Sequence, residues 1–293
     1  MQSYIYFPGC SLKTAAKDFD MSTKACAGAL GIELKEMDEA LCCGAVFSNV
    51  SDNVMLHSGP NRILARAEAQ GNALVTLCAG CYNVLKRTNL QAKRNSTTQD
   101  KINTFNEERY TGGIDVLHFL EILRDKVGFD TIQGSVKKPL LGLQVGAYYG
   151  CLLLRPFDEM KFDDPHRPTV LEDLLTTLGC SAIDYPMRTE CCGSYLSVTS
   201  TKTATLLSQT ITQSAQLHGA KMLAVSCPLC KYNLEELQNR SDVTESERLP
   251  IVYFTQLLGL ALGLSPEDLG LELKQFQTIQ DNVKTVEEDA IQQ

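Results

Sequence analysis

The chain has 293 residues, 44% of them hydrophobic and 21% charged, with a formal net charge of −8. That length suits two ordinary domains or one large one, and the apolar share supports a packed core, which excludes general disorder. An acidic chain without a basic run is a poor nucleic-acid binder, and twelve cysteines beside only four histidines point to sulfur and metal chemistry.

The N-terminus, MQSYIYFPGC, has no charged leader, long apolar run or small-residue cleavage site, and does not read as a signal peptide. Residues 4–7 form a short apolar strand candidate running into Gly9-Cys10. A helix is expected over 21–30, closed by Gly31. Cys42-Cys43-Gly44 follows, then a helical stretch at 60–70, a buried strand at 73–77, and Cys78-Ala79-Gly80-Cys81. Tyr82-Asn83 opens a further helix, and 91–113 is polar and reads as a surface excursion. A strand and then a helix are expected over 115–123, with 126–139 as a joint.

The second half repeats this order. A strand at 143–149 leads to Gly150-Cys151, and a helix over 170–178 is closed by Gly179. Cys191-Cys192-Gly193, a helix over 201–218 and a strand over 222–225 precede Cys227-Pro228-Leu229-Cys230 and Tyr232-Asn233. A strand and helix over 251–262 follow, and the tail beyond Pro266 reads as an acidic amphipathic helix fraying towards Gln293. The longest charge-free apolar stretches, 139–154 and 251–266, have 16 residues each and contain Gln144 and Gln256. A spanning helix needs about 20, so the chain reads as soluble and cytoplasmic. In a reducing cytosol its cysteines suit ligands or redox centres better than structural disulfides.

The spacing repeats closely. Cys78 lies 35 positions after Cys43, and Cys227 lies 35 after Cys192. Only the first arm differs, 32 positions from Cys10 to Cys42 against 40 from Cys151 to Cys191, and the extra residues are assigned to the polar run 157–168. Strands alternating with helices imply parallel sheets with crossovers. The expected fold is two pseudo-repeated, Rossmann-like α/β halves, 1–138 and 139–293, each with a small, mostly parallel sheet flanked by helices.

In open α/β sheets, functional groups gather at the carboxyl ends of strands. Cys10, Cys78, Cys151 and Cys227 each follow a strand candidate, so each half should bring its thiols to one rim. A zinc site closes at four ligands and a cubane cluster takes four cysteines, whereas each half offers five. Adjacent side chains in an extended chain face opposite ways. The Cys-Cys pairs therefore converge only in a turn, which Gly44 and Gly193 permit. Two thiols so close suit neighbouring irons, which favours an unusual multi-iron cluster over one zinc. One cluster plus one zinc stays open, since soft thiolates suit both metals. Each Cys-x-x-Cys alone would read as a thioredoxin-like pair. Cys26 and Cys180 break the pattern and read as core residues.

These motifs resemble the B subunit of heterodisulfide reductase, in the family defined by the CCG domain. The resemblance rests on Pro8-Gly9-Cys10, Leu41-Cys42-Cys43-Gly44 and Cys78-Ala79-Gly80-Cys81-Tyr82-Asn83. The second half matches at 148–156, at Glu190-Cys191-Cys192-Gly193 and at Cys227-Pro228-Leu229-Cys230. The resemblance implies two noncubane [4Fe-4S] clusters, one on Cys10, Cys42, Cys43, Cys78 and Cys81, the other on Cys151, Cys191, Cys192, Cys227 and Cys230. It also implies a disulfide substrate entering between the clusters, and two partners from the same kind of complex. These are its ferredoxin-like C subunit, which brings electrons, and its flavin-containing A subunit.

Splitting a disulfide takes two electrons, and two clusters passing one each would match that need. The metal would then stabilise each leaving sulfur, unlike thiol–disulfide exchange, where a protein thiolate attacks first. Arg155, Arg188, Lys13 and Lys17 lie near the ligand cysteines in sequence and could hold an anionic substrate or tune the clusters, or simply be solvated surface charge. His57, His118, His166 and His218 are scattered and read as structural. The Tyr-Asn pairs could shield sulfur or merely start a helix. A disulfide-reducing enzyme component is the first reading of function. The others are a non-catalytic electron-transfer component, as in succinate or fumarate oxidoreductases, and a zinc-stabilised structural one.

Overall fold

The computed structural model describes residues 2–37, 41–45, 53–71, 73–240, 244 and 247–283. The first half runs β1 (Gln2–Tyr6), α1 (Lys17–Ala29), β2 (Ile32–Glu36), α2 (Ser58–Glu68), β3 (Ala73–Thr76), α3 (Ala79–Arg94), α4 (Ser96–Asn106), β4 (Asp115–His118) and the short α5 (Phe119–Ile122). Helix α6 (Phe129–Ser135) lies in the joint. The second half runs β5 (Gln144–Tyr148), α7 (Phe157–Met160), α8 (Val170–Thr177), β6 (Ser181–Ile183), α9 (Leu196–Thr199), α10 (Thr201–Leu217), β7 (Met222–Val225), α11 (Pro228–Asn239), β8 (Ile251–Tyr253), α12 (Phe254–Ala261) and α13 (Leu273–Asn282).

Each half holds a four-stranded parallel sheet, in the orders β2-β1-β3-β4 and β6-β5-β7-β8. The two orders are the same permutation, so the repeat read in the cysteines extends to the whole topology. The interior strand β7 reads MLAV and is buried throughout, as a strand covered on both faces should be. The edge strands β2 and β6 escaped the sequence reading. β2 is IELKE, mixed apolar and charged, and β6 has only three residues. Pairing with β1 and β5 supplies the backbone partners that their own composition does not announce.

The stretch 91–113 is not an excursion, and that expectation is corrected. α3 runs on to Arg94, and α4 follows with Gln99, Ile102 and Asn106 buried. Polar residues are tolerated there because they are paired. Asn95 caps α4 by accepting from the Thr98 N–H, and Gln99 and Asn103 both donate to the Tyr110 carbonyl. α1 starts four residues earlier than expected, at Lys17, with Asp18 and Asp20 in its first turn, where the helix dipole favours acids. The tail forms α13 as expected, while residues 284–293, where fraying was expected, lie outside the described residues.

One apolar core spans both halves. Across the junction, Phe19 of α1 stacks on Tyr253 with ring centroids 4.0 Å apart. Ser22 meets the Thr255 hydroxyl at 2.7 Å, and the Cys26 thiol donates to the Thr255 carbonyl at 3.2 Å. Full burial of Phe19 contributes about 1.5–3 kcal/mol. Cys26 and Cys180 are both core residues, as expected, and burial pushes both thiols up, Cys180 to about 12. Among the described residues, no helix is long and apolar enough to cross a membrane.

Candidate functional site

The chain leaves β1 towards β2 on one side and returns to β3 on the other. The carboxyl ends of β1 and β3 therefore part into a crevice, where ligands of open parallel sheets bind. Tyr6 pairs with Val75, so Cys10 and Cys78 emerge at the same rim a few residues later. Tyr148 pairs with Val225 in the second half, and Cys151 and Cys227 emerge in the same way.

Cys78 and Cys227 are the N-cap residues of α3 and α11, both in extended backbone, and Cys81 and Cys230 sit in the first helical turn. Free N–H groups and the positive end of the helix dipole favour thiolate there. Thiol donation from Cys230 and Cys78 holds Cys227 well below the usual thiol range despite burial, assisted by the Cys230 and Leu229 N–H groups. Cys43 is lowered by its hydrogen bond with Cys81. Cys191 is lowered by donation from Cys151 and Cys192, with the Gly193 N–H and the Arg155 charge assisting. Their partners along the rim shift in the opposite direction. Cys78 is raised by its bond to Cys227, Cys81 by Cys43, Cys151 by Cys191, and Cys230 by Cys192.

Mutual influence on ionisation links the sulfurs in one run: Cys43, Cys81, Cys78, Cys227, Cys230, Cys192, Cys191, Cys151. The Cys43–Cys81 separation is 3.1 Å and the Cys192–Cys230 separation 3.6 Å. The run crosses from one half to the other at Cys78–Cys227. Cys10 and Cys42 touch at its outer end. All ten are free thiols; Cys10 and Cys42 are exposed, Cys78, Cys151 and Cys191 half-buried, and the other five buried. Among the described residues, no three His, Cys, Asp or Glu side chains close around a single-ion position.

Glycines make room for this packing. Gly9 has φ +69°, and a Cβ there would lie 3.1 Å from the Cys81 sulfur. Its repeat partner Gly150 has φ +64°, and a Cβ there would lie 3.2 Å from the Cys230 sulfur. Only a residue without a side chain takes this backbone and leaves the sulfur where it is.

Side chains then lock the thiol loops across the junction. Asn83, one turn into α3, donates to the carbonyls of Leu152 and Arg155, both at 2.7 Å, and so holds the Cys151 loop from the opposite half. Asn233 donates within its own half, to the Cys192 and Ser194 carbonyls at 3.1 and 2.8 Å, and approaches the Cys192 sulfur at 3.6 Å. The asparagines of the Tyr-Asn pairs are thus braces, and Asn233 also approaches sulfur. The tyrosines diverge. Tyr82 is buried with its hydroxyl on Lys86, and Tyr232 is exposed. In return, the Tyr195 hydroxyl reaches from the second half to the Ala45 carbonyl at 3.0 Å, and Lys231 pairs with Asp18 at 3.0 Å. The sequence reading missed Tyr195, whose one signal is its position just after Cys192-Gly193.

The candidate cations separate as well. Arg155 donates to the Thr189 carbonyl at 3.3 Å beside Cys191. Arg188 is committed to Glu172 and Asp184, Lys13 pairs with Glu36, and Lys17 is exposed. Of the histidines, His166 and His218 are exposed, His57 meets the Thr88 hydroxyl at 3.0 Å, and His118 is fully buried.

Two parallel α/β halves that bring paired Cys-Cys-Gly and Cys-x-x-Cys loops to one rim define a duplicated, thiol-rich class of protein. The chain belongs to the CCG cysteine-rich domain family, which matches it twice, at residues 4–86 and 145–235. It is 32% identical over 275 residues to the 8-methylmenaquinol:fumarate reductase membrane anchor subunit of Wolinella succinogenes, covering 92% of this chain and 95% of that one. It is 28% identical over 283 residues to the B subunit of the ferredoxin/F420H2-dependent CoB-CoM heterodisulfide reductase of Methanosarcina acetivorans, covering 94% of each. Among solved structures, a hypothetical protein from Helicobacter pylori superposes with a TM-score of 0.74 at 14% identity. That match covers 93% of this chain and 51% of the other, and it concerns the fold alone.

Proposed function

We propose that this chain is a catalytic subunit like the B subunit of heterodisulfide reductase. It reduces a disulfide, or forms one in reverse, with two noncubane [4Fe-4S] clusters supplying one electron each. The approach of Cys78 to Cys227 carries this reading, because it brings the two thiol sets together across the junction, where one substrate could face both. Relatives named as B subunits of heterodisulfide reductase, matching over nearly the whole chain, support it.

The donors suit such a group. Ten soft thiols gather along the strand rims of the two halves, and a polynuclear cluster spreads its thiolates over several irons. Residues 1–138 would hold one cluster on Cys10, Cys42, Cys43, Cys78 and Cys81, and residues 139–293 the other on Cys151, Cys191, Cys192, Cys227 and Cys230. Zinc in one half is the lesser alternative. When bound, the clusters supply two one-electron donors and Lewis-acidic iron for a leaving sulfur. The balance is R–S–S–R′ plus two electrons and two protons giving two thiols. The electrons would come from a ferredoxin-like C subunit, in a complex that also holds a flavin-containing A subunit.

The chain's own residues prepare the site. Gly9 and Gly150 keep backbone clear of the ligand sulfurs, and Asn83 fixes the Cys151 loop against α3. Arg155 places positive charge beside Cys191, where it would favour an anionic substrate arm.

Anaerobically prepared protein should contain about eight irons and matching acid-labile sulfide per chain, the content of two four-iron clusters. Adding a disulfide should change the paramagnetic signal of the reduced protein. Zinc in place of iron would end the reading. The Wolinella succinogenes relative favours a second reading, a non-catalytic electron-transfer subunit. Full iron with no response to any disulfide would select it.

A further inference from the structure

The segment that follows the edge strand β6 walls a cavity of about 310 Å³, lined by His166, Arg167, Asp184, Tyr185, Arg188 and His218. Four of these can carry positive charge and one is an acid, in a chain whose net charge is −8. His166 and Arg167 belong to the polar run to which the extra length of this half is assigned. The acids of that loop are spent on its own backbone. Asp164 accepts the His166 and Arg167 N–H groups, both at 2.8 Å, and Asp163 accepts those of Thr169 and Val170 at 2.8 and 3.0 Å. Arg188 Nε lies 3.4 Å from Glu172, yet neither atom makes a hydrogen bond, and its other partner, Asp184, is 84% exposed. The Tyr185 hydroxyl is buried without a partner. Buried polar groups left unpaired are few in proteins and mark places for a further ion or water.

We propose that this cavity binds a small phosphate-class anion, inorganic phosphate or a phosphate monoester, held by Arg167 and Arg188 with His166 and His218 beside them. The volume lies at the small end of ligand pockets. Guanidinium forks match the paired oxygens of phosphate. His218 gives its Nδ1 proton to the Ser214 carbonyl at 2.7 Å, so a ligand would meet Nε2. Asp184 occupies Arg188 with a carboxylate of the chain's own, and exposed ion pairs are weak enough for an anion to displace it. The site reaches the thiols through the backbone. The Arg188 carbonyl accepts the Tyr149 and Gly150 N–H groups at 3.0 and 3.3 Å, directly before Cys151. The Glu190 carbonyl accepts the Tyr148 hydroxyl at 2.7 Å, directly before Cys191. An anion drawing on the Arg188 side chain would therefore tighten the second thiol set and leave the first alone. Its effect on a cluster there rests on the functional reading above; the binding does not.

Calorimetric titration of the full chain at constant ionic strength, with inorganic phosphate and with glycerol phosphate, tests the site. Saturable binding is expected, and the tighter of the two probes identifies the source of the anion. Arg167→Ala should weaken binding about tenfold, the scale of one hydrogen bond to a charged group. Asp184→Asn should tighten it severalfold by removing the competing carboxylate. Lys101→Ala, which removes an exposed cation of α4, should change nothing. No saturable binding in the wild type, or equal affinities in Arg167→Ala and Lys101→Ala, would overturn the proposal. On adding phosphate, hydrogen exchange should slow at residues 149–151 and stay constant at 9–10; constant exchange at 149–151 would refute the link to the thiols. Phosphate binding by a chain that takes up no iron would end the functional reading and leave this site standing, so either idea can fail alone.

Discussion

Placing a methyl group at Gly9 probes the thiol cradle directly. The residue has φ +69°, and the added carbon would meet the Cys81 sulfur at 3.1 Å and the Phe7 ring at 3.5 Å. Left-handed backbone costs an alanine about 1–2 kcal/mol. The contact adds to that, being about 0.5 Å inside ordinary packing distances of roughly 3.5–4.0 Å. Cys81 has little room to retreat, since it is buried in the first turn of α3 and lies 3.1 Å from Cys43. Gly31 is the control. It has φ +71° just after α1, and a Cβ there would meet no atom within 4 Å. Urea denaturation of Gly31→Ala should show a loss of about 1 kcal/mol with iron content unchanged. Gly9→Ala should lose at least as much stability and also about half the iron, leaving the second half loaded; Gly150→Ala should do the converse. Full iron in Gly9→Ala, or equal iron loss in Gly31→Ala, would refute the cradle.

Other outcomes follow from the same geometry. Cys26→Ala should destabilise the protein by about 1–2 kcal/mol, from lost packing and the bond to Thr255, yet keep its full iron, whereas Cys81→Ala should lose iron from the first half. Asn83→Ala removes two 2.7 Å hydrogen bonds and should cost about 1–3 kcal/mol by denaturation, with hydrogen exchange rising in 151–155 rather than in the first half. Glu36 has a lowered pKa: burial opposes ionisation, but the bonds from Lys13 and Lys24 outweigh it. A lowered folded pKa contributes stability above the unfolded value near pH 4.3 and loses it as pH falls through the folded value. Wild type should therefore exceed Glu36→Gln by less than about 1 kcal/mol at pH 7, and the gap should close below about pH 4.

Much of the site was legible before any coordinates, because its signals are local. A Cys-x-x-Cys at a strand-to-helix turn places one thiol on the N-cap and one in the first turn, whatever surrounds it. A glycine after Cys-Cys marks a turn for the same reason, and Gly44 and Gly193 do have positive φ, +72° and +95°. The central strands were visible as apolar runs, but β2 and β6 were not, since their pairing comes from β1 and β5. Residues 91–113 misled for a related reason. Their polar side chains are satisfied by partners such as the Tyr110 carbonyl, which composition does not reveal.

The alternation of strands and helices, the repeat and the two sets of five thiols were thus contained in the chain's own spacing, because each depends on neighbours in sequence. How the halves meet was not. The approach of Cys78 to Cys227 and the reach of Asn83 and Tyr195 join residues that belong to separate repeats. Those distances are set by the packing of Phe19 against Tyr253 and by the rest of the shared core. Packing of that kind sums many weak contacts over both halves, and no short stretch of sequence encodes it.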